Sequence, residues 1–257
     1  MVAPQRAITL RVQRSNPTQH IAPHYQTFEI SPEPGMTVLS ALLQAKERMD
    51  HSIAIRFSCR MASCGSCGMK INGLPRLACY TQIAELGNSP ILVEPLDHYP
   101  LVRDLVTDFH GFFSTHQSVN PFLVRREVAE QENFESEYMQ SQEQVNEILQ
   151  FSYCIKCGLC NAACPTLATD PLFTGPQALG QAYRYTADSR DEGGLHRLNE
   201  VNHEHGVWRC HFAGACSFVC PKGVDPALAI QRLRRLVVTR SIAKKVGAQI
   251  MPKHTAL

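Results

Sequence analysis

The sequence predicts an α+β chain, with a small mixed β domain over residues 1–107 followed by a helical domain over residues 108–257. Three observations carry this. Apolar residues alternate with period two near the N-terminus, and they recur at helical spacing in the second half. The 11 cysteines also fall into separate clusters, one in the first part and two in the second. An odd number of clustered cysteines fits metal ligation in a reducing compartment better than a disulfide scaffold. Hydrophobic content of 44% and a net charge of +2 are ordinary for a globular chain and do not point to nucleic acid. No apolar run reaches about 18 residues, so no bilayer-spanning helix is expected.

Taken in order, Ile8–Val12 alternates as a half-buried strand, a better reading of the acid-free N-terminus than a targeting peptide. Pro17 and Pro23 mark a turn-rich stretch, and Tyr25–Ile30 is the expected hairpin partner. Thr37 is placed to cap a helix carrying Val38, Leu39, Leu42, Leu43 and Ala45. Short strands are expected at Ile53–Phe57, Met69–Asn72 and Ile91–Pro95. Past Asp108 the texture changes. Glu127–Glu147 holds seven glutamates and no Lys or Arg, which reads as a solvated segment. Val145–Phe151 and Gly175–Tyr185 read as helices, the latter opened by Pro176, and Asp188–Gly194 as a turn. Trp208 is expected in the core or against a metal site. From Pro226 onward there are Lys and Arg but no acid, with Ile230, Leu233 and Val237 on one helical stripe. Such a helix can be simply solvated, or it can face anionic lipid or a membrane partner.

The first cysteine cluster is Cys59-x4-Cys64-x2-Cys67, followed by Cys79. This is the plant-type spacing for a 2Fe–2S cluster. Gly65, Ser66 and Gly68 let backbone N–H groups approach the sulfurs. Zinc is the rival occupant, though it favours C-x2-C knuckles.

The second cluster, Cys154-x2-Cys157-x2-Cys160-x3-Cys164-Pro165, has the spacing that holds cubane clusters, in which the fourth cysteine reaches the neighbouring cube. The third repeats the ruler as Cys210-x2-Ala213-x2-Cys216-x3-Cys220-Pro221, with alanine at the second position. Exchanging the last cysteines assigns Cys154, Cys157, Cys160 and Cys220 to a 4Fe–4S cluster. Cys164, Cys210 and Cys216 remain. Ala213 cannot ligate iron, so this set fits a 3Fe–4S cluster, the alternative being a 4Fe–4S cluster with a non-cysteine ligand on one corner.

With these residues in view, the chain resembles the iron–sulfur subunit of the succinate dehydrogenase/fumarate reductase family. The resemblance rests on FSCRMASCGSCGM, INGLPRLAC, PLVRDLVTD, CIKCGLCNAACP, YRYTADSRD and CHFAGACSFVCPKGVDP. It implies a β-grasp 2Fe–2S ferredoxin domain and an α-helical bacterial-ferredoxin-like domain. It also implies a flavoprotein partner carrying FAD and membrane-anchor subunits that bind quinone and in some members haem. Single electrons would pass from flavin through the 2Fe–2S, 4Fe–4S and 3Fe–4S clusters to quinone, with no dicarboxylate chemistry in this chain alone. The chain would sit peripherally on the cytoplasmic face of a prokaryotic membrane. Carried over singly, Pro165 and His211 match quinone-proximal positions of the family. Gln231 matches a fumarate-reductase position, and Arg234 stands where those members have Lys. Thr169 stands where succinate-oxidising members place Trp, so the pattern is mixed and leaves the direction and the quinone open. Ala62 departs from a usual glycine. The readings from other classes are a zinc-stabilised binding module that moves no electrons and an iron–sulfur subunit of a different flavoenzyme.

Overall fold

A computed structural model describes residues 7–87, 90–126 and 137–246, with side chains to Ser241. Chain contacts divide it into two units, residues 1–111 with 155–163, and residues 112–154 with 164–257.

The first unit is built on a five-stranded sheet in the order β2-β1-β5-β3-β4. The strands are β1 (Ile8–Asn16), β2 (Ile21–Ile30), β3 (Gly68–Ile71), β4 (Leu74–Leu77) and β5 (Ile91–Glu94). β1 pairs antiparallel with β2 and parallel with β5, while β3 pairs antiparallel with both β4 and β5. Helix α1 (Val38–Arg48) follows the expected cap, with Ser40 N–H donating to Thr37 Oγ1 at 3.1 Å. Leu10, Val12, Ile30, Val38, Leu42, Ile71 and Val93 are fully buried and form the core. This is the expected β-grasp arrangement. A ribbon of β6 (Leu101–Arg103) and β7 (Val106–Thr107) follows, and then helix α2 (His110–Ser118), whose residues from Phe112 on belong to the second unit.

Two sequence expectations need correction here. Pro23 lies inside β2 and Pro75 inside β4, the two edge strands, where a residue without an N–H leaves no ladder bond unmade. β4 lies outside the strands expected from the sequence. Conversely, Ile53–Phe57 is irregular rather than a strand. Its backbone groups are satisfied from elsewhere: Lys46 Nζ donates to Ile53 O at 2.6 Å, and Ala54 N–H donates to Asp104 Oδ2 at 2.8 Å. Asp104 is itself buried and also accepts from Ser15 N–H at 3.0 Å.

The second unit is helical, with α3 (Gln142–Ser152), α5 (Pro165–Thr169), α6 (Pro176–Thr186), α7 (Gly194–Glu200), α8 (Ala215–Phe218) and α9 (Pro226–Val246). The short α4 (Leu159–Ala162) belongs to the first unit. A reciprocal cap opens α3: Ser141 N–H donates to Gln144 Oε1 at 2.8 Å, and Gln144 N–H to Ser141 Oγ at 3.3 Å. Phe151, Leu179, Ala182, Ile230 and Leu233 form the core, with Phe151 edge-on to Tyr183 at 5.0 Å. Ile230, Leu233 and Val237 face inward as the stripe predicted. The stretch 119–124 has no regular structure of its own and is held by Arg197 and by Asp191, which accepts from Val124 N–H at 2.9 Å. Arg197, fully buried, donates to the carbonyls of Asn120 at 2.9 Å and Phe122 at 2.6 Å and pairs with buried Asp191 at 2.6 Å. Removing either partner would strand a buried charge, at a cost of about 3–5 kcal/mol. Of the glutamate-rich stretch, residues 127–136 lie outside the described residues. No described helix is long and apolar enough to cross a membrane.

Candidate metal centres

The loop Cys59–Cys67 turns its backbone inward. Arg60, Ala62 and Gly65 all adopt left-handed conformations (φ +58°, +56° and +77°), and such alternation aims successive N–H groups into one concavity. The N–H groups of Met61, Ser63 and Cys64 donate to Cys59 Sγ at 3.3–3.4 Å, and that of Ala62 to Cys79 Sγ at 3.3 Å. Ser66 N–H donates to Cys64 Sγ at 3.5 Å and Cys79 N–H to Cys67 Sγ at 3.4 Å. All four sulfurs therefore accept from backbone donors, which favours thiolate and stabilises the charge of a bound cluster. Hydrogen bonding from Ser66 lowers the Cys64 thiol to about 6, whereas burial raises Cys67 to about 12. The donor set and its N–H cradle fit a 2Fe–2S cluster. The departure at Ala62 leaves the loop intact, because alanine takes the left-handed angle that glycine would take freely.

Gly65 is required twice over. Besides its positive φ, an added Cβ would lie 2.8 Å from the Cα and Cβ of Cys157. In the first unit, Cys157 and Cys160 flank Gly158, which is left-handed at φ +79° and seats α4. A Cβ on Gly158 would meet the Phe109 ring and the Tyr99 oxygen at 2.6 Å. Tyr99 Oη donates to Gly158 O at 2.9 Å, and its pKa is raised by burial and by the charges of Cys160 and Cys157. Within the second unit, Cys154 and Cys220 pack against the helical core.

The third run lies wholly in the second unit. Cys164, Cys210 and Cys216 line one pocket, together with Pro165, Phe212, Ala213, Gly214 and Ile230. Phe212 N–H donates to Cys210 Sγ at 3.4 Å. Burial raises Cys164 and takes Cys216 to about 11, with the neighbouring sulfurs adding to both. Three inward sulfurs and a methyl group around one cavity fit a cluster with three protein ligands.

The quinone-proximal candidates are placed differently from one another. Pro165 is exposed and heads α5 beside Cys164, and His211 is exposed on the loop after Cys210. Gln231 is half-buried on α9, and its Nε2 is buried with no hydrogen-bond partner among the described residues. Arg234 is committed to structure. Its guanidinium donates to the carbonyls of Val207 at 2.8 Å, Trp208 at 3.2 Å and Cys210 at 2.6 Å. It thus clamps the backbone that presents Cys210, a role that spacing could not reveal. Trp208 is 44% exposed rather than core, with Arg234 6.0 Å over its ring and its indole N–H bonded to Asn202 at 2.8 Å.

A family profile described as a 2Fe–2S iron–sulfur cluster binding domain matches residues 9–114, and one described as a 4Fe–4S dicluster domain matches residues 150–224. The fumarate reductase iron–sulfur subunit of Mycobacterium tuberculosis is 42% identical over 237 residues, covering 92% of this chain and 95% of its own. The succinate dehydrogenase iron–sulfur subunit of Coxiella burnetii is 36% identical, covering 88% and 95%. Among solved structures, a chain of the Mycobacterium smegmatis Sdh1 complex in the apo form superposes with a TM-score of 0.81 at 27% identity, covering 92% of this chain and 98% of that one. These matches select the redox reading over the zinc-stabilised module. The chain belongs to the family of iron–sulfur subunits of succinate dehydrogenase and fumarate reductase, and its business is to relay electrons through 2Fe–2S and 4Fe–4S cluster domains.

Proposed function

We propose that this subunit carries three clusters: 2Fe–2S on Cys59, Cys64, Cys67 and Cys79; 4Fe–4S on Cys154, Cys157, Cys160 and Cys220; and 3Fe–4S on Cys164, Cys210 and Cys216. They would take up single electrons from the flavin of a partner flavoprotein and deliver them to a quinone held by membrane-anchor subunits. The carrying observation is that Ala213 stands in the pocket of Cys164, Cys210 and Cys216 where the repeat calls for a cysteine. The clusters supply the one-electron steps, and the chain's own residues set their surroundings. N–H donors stabilise the sulfurs of the first loop. Arg234 fixes the backbone carbonyl of Cys210.

The quinone end is supported by what surrounds the third pocket. Phe212 is 57% exposed and Phe218 77%, both on the loop and turn that carry Cys210 and Cys216. Exposed aromatic side chains beside a metal pocket suit a docking face for an apolar anchor. Exposed Pro165 and His211 and the unpaired amide donor of Gln231 supply groups suited to a quinone ring and its carbonyl oxygen. This face would hold the subunit peripherally on the cytoplasmic side of the membrane.

Iron and acid-labile sulfide counting on the purified assembly tests the ligand assignment, with about nine irons expected for this chain. Before any reductant is added, electron paramagnetic resonance should show an oxidised three-iron signal. Zinc without sulfide would overturn the reading. Replacing His211 with Leu should slow quinone reduction while leaving dye reduction at the flavin intact, and equal loss in both assays would remove His211 from the quinone end.

A further inference from the structure

Away from every cysteine, α7, the turn after it and α9 enclose a polar pocket of about 130 Å³, open to solvent. It is lined by Leu198, Asn199, Asn202, Val237, Arg240 and Ser241, with no Asp or Glu among them. We propose that this pocket binds a phosphate group, either as a free anion or as the headgroup of a phospholipid.

Arg240 Nη1 donates to Asn199 Oδ1 at 2.9 Å. The Trp208 indole N–H donates to Asn202 Oδ1 at 2.8 Å. Arginine and tryptophan are donors only, so each fixes the orientation of the carboxamide it meets. Both asparagine oxygens are thereby engaged, and both amide NH2 groups remain as donors. Arg240 adds a permanent positive charge, and its Nε and Nη2 have no hydrogen-bond partner among the described residues. The remaining polar lining group, Ser241 Oγ, donates to Val237 O at 2.9 Å and can turn its proton outward. Several donors, one cation and no carboxylate make a site for an anion with several acceptor oxygens. The charge of the described part of α9 agrees, since residues 226–241 contain Arg232, Arg234, Arg235 and Arg240 and no acid. The nearby carboxylates on this stretch, Glu200 and Glu204, are exposed and do not line the pocket.

The test uses the full cluster-loaded chain and four forms of it: native, Asn199→Asp, Arg240→Gln and Thr239→Asp. Asn199→Asp retains an oxygen for Arg240 while deleting an amide donor and adding a negative charge. Thr239→Asp adds the same charge on exposed α9 but outside the pocket. Inorganic phosphate is titrated and followed by calorimetry and by the fluorescence of Trp208, the only tryptophan in the chain. In parallel, flotation is measured with phosphatidylcholine vesicles, with and without phosphatidylglycerol. Saturable phosphate binding that weakens at least tenfold in Asn199→Asp and Arg240→Gln, but not in Thr239→Asp, establishes a free-anion site. The same ranking seen only on phosphatidylglycerol vesicles establishes a lipid headgroup site. No binding in either arm, or equal effects of Asn199→Asp and Thr239→Asp, overturns the proposal.

Discussion

The two cubane-type runs fold alike and are packed unlike. In the first, Lys156 (φ +55°) and Gly158 (φ +79°) are left-handed and a one-turn helix follows at Leu159. In the second, Phe212 (φ +57°) and Gly214 (φ +74°) repeat those angles and a one-turn helix follows at Ala215. The backbone geometry is the same although Ala213 stands where the first run has Cys157. Loop shape is therefore set by the spacing of glycine and left-handed residues, while the number of donors is set separately. The surroundings differ. Gly158 is wedged against Phe109 and Tyr99, whereas no described residue lies within 4 Å of the Cβ direction of Gly214. The first run is sealed by its own chain, and the second is left open.

That difference has a large expected consequence. Gly158→Ala must both hold an L-residue at positive φ and displace an aromatic ring, so a loss on the order of 3 kcal/mol or more is expected. Gly214→Ala meets only the backbone penalty, about 1–2 kcal/mol. Loss of cluster absorbance during heating at a fixed scan rate checks this, and equal losses would erase the contrast.

Restoring the missing donor is the next test. Ala213→Cys should convert the three-iron cluster to a four-iron cluster of lower potential, abolishing the oxidised resonance signal and raising iron by about one per chain. An unaltered signal would break the pairing of Cys164, Cys210 and Cys216. A smaller effect is expected from the clamp that the second run possesses. Arg234→Met removes three hydrogen bonds to carbonyls, at about 2 kcal/mol, and should broaden the three-iron signal while leaving the 2Fe–2S signal unchanged. Equal broadening of both signals would make Arg234 a general stabiliser.

These contrasts also separate what sequence could and could not show. Cysteine spacing is local, since a few residues of loop fix where the thiolates point, so the sequence alone is enough to propose the 11 cysteines as ligands. So were the Thr37 cap and the buried stripe of α9. What stayed hidden depends on partners distant in sequence. Ile53–Phe57 has strand composition, but Lys46 and Asp104 take its hydrogen bonds. Pro23 reads as part of a turn, yet it lies in an edge strand that only the sheet order defines. The Asp191–Arg197 pair that fixes 119–124 has no periodic signature, and Arg234 resembles a ligand-facing residue until its carbonyl partners are seen.

The mildest expected effect bears on the openness of the second run. Phe212 holds a left-handed conformation that costs an L-residue about 1–2 kcal/mol. Glycine would relieve that strain but lose about 0.5–1 kcal/mol in chain entropy. With the ring more than half exposed, little burial is forfeited, so Phe212→Gly should stabilise the isolated chain by about 0.5 kcal/mol. Its N–H remains to donate to Cys210 Sγ. If the exposed ring instead meets an anchor subunit, the same change should weaken assembly with the membrane fraction. Lys156→Gly, at the matching position of the sealed run, should leave assembly unchanged. A gain in thermal midpoint with a loss of co-purification for Phe212→Gly alone would locate the docking face, and parallel behaviour of the two variants would show that openness of the second loop has another cause.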